Sequence, residues 1–153
     1  MDMPGPAAGH RKLEGLAGTW EGEEKMFPSP WDPKGGVAKA RMHNGVSLAG
    51  FALLGDYEQE RDGLITFSGH AVYTYDAKSD RYTLHWFDCL GTAPEVFTGT
   101  WKGDTLTLAH GGPRMHARIT HQFGKPGELK STMETSQDGS TWKPMFEGTY
   151  RRT

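Results

Sequence analysis

The chain has 153 residues, 24% of them charged, and a formal net charge of −2 at pH 7. Its cations and carboxylates are dispersed, so it has no basic patch for nucleic acid, and we predict no nucleic-acid partner. No apolar run approaches the roughly 20 residues of a membrane span, which argues against a membrane partner, and the length predicts one domain over residues 1–153.

Residues 1–9 are rich in Pro, Gly and Ala and carry no apolar signal core, so we predict a flexible tail. Residues 10–16 can form one or two helical turns with Leu13 and Leu16 on one side. The single cysteine, Cys89, excludes an internal disulfide. Together these features favour a cytoplasmic protein in a reducing compartment.

The first strand opens with Gly18-Thr19-Trp20, the most informative motif of the chain. The last strand ends with Arg151-Arg152. A guanidinium can lie over an indole ring as a cation–π partner. The sequence therefore predicts that Trp20 is buried in the floor of a small barrel, in contact with Arg151 or Arg152.

Turn signals follow Trp20 at intervals of about 8–12 residues, a spacing typical of a β-sandwich or a β-barrel. We therefore predict ten strands in the remainder of the chain. They cover residues 19–27, 36–43, 46–58, 64–75, 81–89, 95–101, 105–110, 114–123, 129–136 and 142–151.

The strongest hairpin signal is Asn44-Gly45, which lies between two alternating runs. A two-residue turn there would pair His43 with Val46. The alternation that follows would place three side chains inside, those of Ser47, Ala49 and Phe51.

A second hairpin is predicted across residues 76–80, with Asp76 opposite Arg81 and Tyr73 opposite Leu84. Paired residues point to the same side of a sheet, and this aromatic side is assigned to the interior. In residues 114–123 the alternation is clearer. Its inward face consists of Met115, Ala117, Ile119, His121 and Phe123.

Together the inward faces form a lining that is aromatic and rich in methionine, with a few ionisable groups that include Glu24. Ligand pockets have this chemistry, since they are mostly apolar with a few placed polar groups. We predict that six residues form the walls of a ligand site: Trp20, Met42, Tyr73, Trp86, Trp101 and Met133. Three more would orient the polar end of the ligand: Asp88, His110 and His121.

Four stretches of the sequence carry a resemblance to a known family: His10-x-x-Leu13-x-x-Leu16-x-Gly18-x-Trp20-x-Gly22, the Tyr75-Asp76 turn, Tyr82-x-Leu84-x-Trp86-x-Asp88 and Gly99-x-Trp101. Over nearly the whole chain they resemble the bacterial domain of unknown function 1579. That family is similar to the calycins, which include lipocalins, fatty-acid-binding proteins and nitrobindin-type haem barrels. The resemblance implies an antiparallel up-and-down barrel with a cavity, and it implies no established activity.

The spacing of polar residues bears on three other kinds of chemistry. Seven histidines invite a metal site, but no His-x-His or Cys-x-x-Cys spacing occurs, so no metal ligands are assigned. Gly-x-Ser-x-Gly is absent, and no catalytic residue is assigned. Haem is kept as an alternative with His121 as its axial ligand, because a neutral imidazole suits iron. An enzyme that uses His121 with Asp88 is another alternative.

The sequence thus predicts an all-β, calycin-like antiparallel up-and-down barrel of about ten strands with a short N-terminal helix. Its predicted function is the non-catalytic binding of a small apolar ligand in the interior, without a cofactor. A third alternative is an assembly module whose barrel is filled solid. The oligomeric state is left open, with a homodimer as one option.

Overall fold

The structure, a computed structural model, describes residues 3–113 and 115–153. Three residues lie outside the described ranges: Met1 and Asp2 of the predicted tail, and Arg114 of the predicted strand 114–123. The elements in chain order are α1 (Ala8–Lys12), a 3-10 helix (Leu13–Leu16), β1 (Gly18–Met26), β2 (Gly36–Ser47), a 3-10 helix (Leu48–Gly50), β3 (Ala52–Arg61), β4 (Leu64–Asp76), β5 (Arg81–Asp88), β6 (Glu95–Lys102), β7 (Thr105–Gly111), β8 (His116–Phe123), β9 (Glu128–Ser136) and β10 (Lys143–Arg152).

The ten strands form one closed antiparallel barrel in which each strand pairs with the next along the chain. Closure comes from β1 and β10, whose register places Trp20 opposite Arg152 and Met26 opposite Phe146. This is an up-and-down barrel, and the predicted fold class is confirmed. None of the helices in the described residues is long and apolar enough to cross a membrane.

One end of the barrel is closed by the N-terminal segment. Leu13 and Leu16, on the 3-10 helix after α1, are both buried, as the sequence predicts. The hydroxyl of Tyr82 donates a hydrogen bond of 2.8 Å to the carbonyl oxygen of Gly9. The helical segment is therefore fixed across the end of the barrel both by apolar packing and by a hydrogen bond.

Trp20 lies in the floor directly above this segment and is 1% exposed. Its indole Nε1 donates to the carbonyl oxygen of Leu16 at 3.0 Å. The guanidinium of Arg152 lies over the ring, with Cζ 4.6 Å from the ring centroid. Both predictions for the floor are confirmed, and Arg152, rather than Arg151, makes the contact.

The predicted turn at Asn44-Gly45 is wrong, because β2 continues through both residues to Ser47. The turn comes later, where Leu48, Ala49 and Gly50 all have positive φ. His43 consequently pairs with Asp56 instead of Val46. Three side chains expected inside are not in the core: Ala49 and Phe51 are exposed and Ser47 is half-buried.

Asn44 stays in the strand because its side chain has a buried partner. Its Nδ2 donates to the carbonyl oxygen of Leu16 at 2.9 Å, and the residue is 8% exposed. Gly55 on β3 leaves the room for it, since a Cβ there would lie 2.1 Å from Asn44 Oδ1. Gly45 has no positive φ, whereas a type I′ turn needs positive φ at both central residues.

The hairpin across residues 76–80 has the predicted register. Asp76 pairs with Arg81 and Tyr73 with Leu84. Tyr73, Tyr82 and Leu84 are buried, so the aromatic face is the inner one. Because the strands alternate in direction, the β5–β6 and β9–β10 loops lie at the end opposite the helical segment.

Candidate functional site

The open end of the barrel contains a cavity of about 330 Å³. Leu90, in the β5–β6 loop, belongs to its rim and is 69% exposed, so the cavity opens to solvent there. The lining is drawn from strands all round the barrel: Glu24, Met26, Met42, Tyr57, Gln59, Phe67, Trp86, Asp88, Leu90, Glu95, Phe97, Ile119, Ser131, Met133, Met145, Phe146 and Tyr150. The barrel is therefore hollow at one end and filled by packed side chains at the other.

The base of the cavity is built around Glu24 on β1, which is 0% exposed. Its Oε1 accepts hydrogen bonds from the Tyr57 hydroxyl and from Gln59 Nε2, the latter at 2.9 Å. Its Oε2 accepts a hydrogen bond from the Tyr150 hydroxyl. Three donors on two strands, β3 and β10, thus hold one carboxyl group inside the barrel.

Both tyrosines are held in their protonated form by this arrangement. Burial, together with the neighbouring Glu24 carboxyl, raises the pKa of Tyr57 well above its ordinary value. The same two causes raise the pKa of Tyr150. Each hydroxyl therefore remains a hydrogen-bond donor to Glu24 over the physiological pH range.

An aromatic wall rises from this base toward the rim. The rings of Phe67 and Trp86 are stacked, with centroids 6.3 Å apart and an interplanar angle of 12°. Tyr57 meets each of them edge to face, at 6.0 Å in both cases. Trp86 is oriented by Asp88, whose Oδ2 accepts from the indole Nε1 at 2.9 Å.

The rest of the cavity lining is rich in methionine. Four of the seven methionines of the chain belong to it: Met26, Met42, Met133 and Met145. Methionine is unbranched and polarisable, so it adapts to irregular shapes. The cavity therefore combines a rigid aromatic wall with a wall that can adjust to a ligand.

Four of the nine predicted site residues line this cavity, namely Met42, Trp86, Asp88 and Met133. The other five do not: Trp20, Tyr73, Trp101, His110 and His121. Trp20 is part of the floor, and Trp101 packs at the closed end against Phe123, with ring centroids 5.5 Å apart. The residues predicted to form the walls of one ligand site therefore lie at two different heights along the barrel axis.

His121 is inward-facing and 7% exposed, as predicted, but it is buried below the cavity. One ring nitrogen, Nδ1, lies 2.7 Å from the Ser131 hydroxyl, and Nε2 lies 3.1 Å from the Tyr73 hydroxyl. Burial lowers the pKa of His121 to about 4. The imidazole is consequently neutral at pH 7, with both nitrogens occupied.

His110 contacts the sheet instead of the cavity. Its Nδ1 lies 2.8 Å from the carbonyl oxygen of Val96, and its ring packs against Phe97 at 5.4 Å. No histidine is among the described residues that line the cavity. An iron in the cavity would therefore lack the imidazole ligand expected from His121.

The predicted acid–base pair is not assembled either. Asp88 is bonded to Trp86 and, through Oδ1, to the backbone nitrogen of Leu90 at 3.0 Å. His121 is bonded to Tyr73 and Ser131. In the described part of the chain, no group of three or more His, Cys, Asp or Glu residues is placed to hold a metal ion.

The cavity residues that the sequence did not single out include Tyr57, Gln59 and Phe67. A signal for them was available. The alternation that places Tyr73 inside also places Phe67 inside when it is followed back along the strand, and it places Tyr57 inside on β3 in the same way. Gln59 lay one residue beyond the predicted end of its strand.

A wider groove of about 530 Å³ runs over the outer face of β1, β2 and β3. Its lining consists mainly of outward-facing charged side chains of both signs, including Glu21 and Arg41. These two form an ion pair of 3.5 Å in which both side chains are more than half exposed. Exposed pairs of this kind are typical of a solvated surface, so the interior cavity is the better candidate site.

Comparison with known proteins gives the chain a family. The family described as "protein of unknown function (DUF1579)" matches residues 5–152. The chain belongs to this family. The resemblance predicted from the Gly18-x-Trp20 and Tyr82–Asp88 runs is thereby confirmed. The description of the DUF1579 family assigns no activity to its members. No curated protein matches the chain.

Two solved structures share the fold of this DUF1579 protein. Rv2717c from M. tuberculosis is 15% identical, with a TM-score of 0.72 over 96% of this chain and 98% of that one. The S-type phycobiliprotein lyase CPES from Guillardia theta is 11% identical, with a TM-score of 0.62 over 94% of this chain and 92% of that one. At these identities the likeness shows the barrel fold alone.

Proposed function

We propose that the protein binds a small, largely apolar molecule in the cavity at the open end of its barrel. The observation that carries this proposal is the cavity itself. Its volume of about 330 Å³ is within the ordinary range for small-molecule sites, which are mostly apolar with a few placed polar groups. Its walls are aromatic rings and methionines, and its polar groups are gathered at the base and the rim.

The shared fold supports the proposal without naming a ligand. A phycobiliprotein lyase is among the proteins with this architecture, so the barrel is compatible with work on a small molecule. Only the fold is shared at 11% identity, and lyase activity is not part of the proposal. We propose binding without catalysis, because Asp88 and His121 are each engaged in separate hydrogen bonds.

The test uses the neutral fluorescent probe N-phenyl-1-naphthylamine. It should bind with a rise in emission and be displaced by apolar competitors, since the cavity is lined mainly by aromatic rings and methionines. Met133→Trp would fill part of the cavity and should weaken probe binding by about tenfold or more. The matched control is Val96→Trp, on the outer face and 42% exposed, which should leave binding unchanged.

The proposal fails if the wild-type protein does not bind the probe. It also fails if Met133→Trp, shown to be folded by circular dichroism, binds the probe as tightly as Val96→Trp does.

The location of the protein remains a prediction. Cys89 is an exposed free thiol, and we propose a reducing, cytoplasmic compartment for it.

A further inference from the structure

We propose that the cavity selects its ligand by charge, taking a hydrophobic amine whose protonated nitrogen is held by Glu24 at the base and discriminating against carboxylates. This inference rests on the proposed function and adds the chemical class of the ligand. It is argued from the charges that line the cavity, from the hydrogen bonds of Glu24 and from the aromatic wall.

The charges lining the cavity have one sign. Three carboxyl groups take part, those of Glu24 at the base and of Asp88 and Glu95 toward the rim. Among the described residues, the lining contains no Lys, Arg or His. A cleft with low-dielectric walls and charges of one sign raises the local concentration of ligands of the opposite sign. The cavity is therefore selective for cations before any specific contact is made.

The carboxyl group at the base has one acceptor position left. An ionised carboxylate accepts only and offers about four lone-pair sites. Three are taken by the donors Tyr57, Gln59 and Tyr150. A protonated amine has three N–H donors, so one of them can use the remaining site.

Charge balance points the same way. A buried charge is costly unless it is paired, and in the described structure the ion pairs are all formed by groups other than Glu24. An ammonium group at the base would supply the missing counter-charge. A ligand carboxylate would instead place a second acidic group against Glu24, and like charges at close range repel each other.

The aromatic wall suits a cation as well. Trp86, Phe67 and Tyr57 pack against one another and line the same cavity as Glu24. A cation over an aromatic face is attracted by the ring quadrupole, most strongly by tryptophan. The hydrocarbon part of an amine would then lie against Met133 and Met145 on the adaptable side.

The test compares three ligands with the same chain and different heads: n-octylamine, n-octanol and octanoate. Isothermal titration calorimetry at pH 7 should show octylamine binding about tenfold more tightly than octanol. Octanoate should bind more weakly than octanol. The comparison is made on the wild-type protein, so it does not depend on whether a variant folds.

Glu24→Gln then assigns the preference to one residue. This substitution keeps the size of the side chain and removes its charge, so the affinities for octylamine and octanol should converge while that for octanol stays unchanged. The matched control is Glu21→Gln on the same strand, whose side chain is 53% exposed on the outer face. It should leave the tenfold difference intact.

The outcomes separate the inference from the proposed function. If octanol binds but octanoate binds as tightly as octylamine, ligand binding stands and the charge selection is wrong. An unchanged octylamine preference in a folded Glu24→Gln protein also overturns it. If none of the three ligands and no neutral probe binds, the proposed function itself is refuted. Should Glu24→Gln not fold, the order of the three wild-type affinities decides.

Discussion

Truncation of Trp20 measures how much the closed end contributes to stability. The side chain is 1% exposed, and deletion of a large aromatic from a core costs about 3–5 kcal/mol. Its hydrogen bond adds little to this figure, because the carbonyl oxygen of Leu16 keeps Asn44 Nδ2 as a partner. Loss of the contact with Arg152 adds about 0.5–1 kcal/mol, the usual size for an exposed cation–π pair.

We therefore expect Trp20→Ala to lower the free energy of unfolding by about 4–5 kcal/mol, in the upper part of that range. Urea denaturation followed by far-UV circular dichroism measures it without relying on tryptophan emission. The matched control is Trp31→Ala, since Trp31 is 67% exposed and should change stability by no more than about 0.5 kcal/mol.

Trp20→Phe separates the ring from its polar group. It keeps much of the aromatic volume and loses the indole N–H, so we expect a smaller loss of about 1–2 kcal/mol. The reasoning is refuted if Trp20→Ala costs less than about 1 kcal/mol, or no more than Trp31→Ala does. Either result would mean that the floor is not a packed core.

Two further predictions concern pH and β2. The pKa of His121 is about 4 in the folded protein, against an ordinary value of 6.5. Between these two pH values the imidazole is protonated in the unfolded chain and neutral in the folded protein. Stability should fall as the pH drops from 6.5 toward 4, by up to about 3 kcal/mol, and His121→Gln should flatten this loss in urea denaturation at pH 7 and pH 4.5. Parallel pH profiles would contradict it. Gly55→Ala should lower the free energy of unfolding by about 1–3 kcal/mol, because the new methyl group would clash with Asn44. Gly45→Ala should leave stability nearly unchanged, because there is open space around Gly45. A large loss of stability in Gly45→Ala would contradict the extended β2.

Much of the fold could be predicted because alternation is a local signal. It placed Trp20 and Glu24 inside, and it gave the register of the hairpin between Tyr73 and Leu84. The turn signal at Asn44-Gly45 failed, because the Asn44 side chain is satisfied by Leu16, 28 residues earlier. A turn signal read from two adjacent residues cannot include a partner that only the folded barrel supplies.

The candidate site could be predicted less well for a related reason. Alternation assigns a side chain to a face of the sheet, but it does not give its level along the barrel axis. His121 and Met133 both point inward, yet only Met133 reaches the cavity. The cluster at the base joins Glu24 to Tyr57 and Tyr150, which are 33 and 126 residues away, and no local pattern connects positions so far apart.

The pairing of β1 with β10 has a consequence for the order of folding. Every other pairing joins neighbours along the chain, so nine of the ten ladders close short loops, while this one brings Trp20 opposite Arg152. Loop-closure entropy rises with the length of the closed loop, and non-local pairings form more slowly than local ones. The sheet can thus grow as a meander from hairpin to hairpin, and the seam that turns it into a barrel, and so creates an enclosed interior, is the last to form.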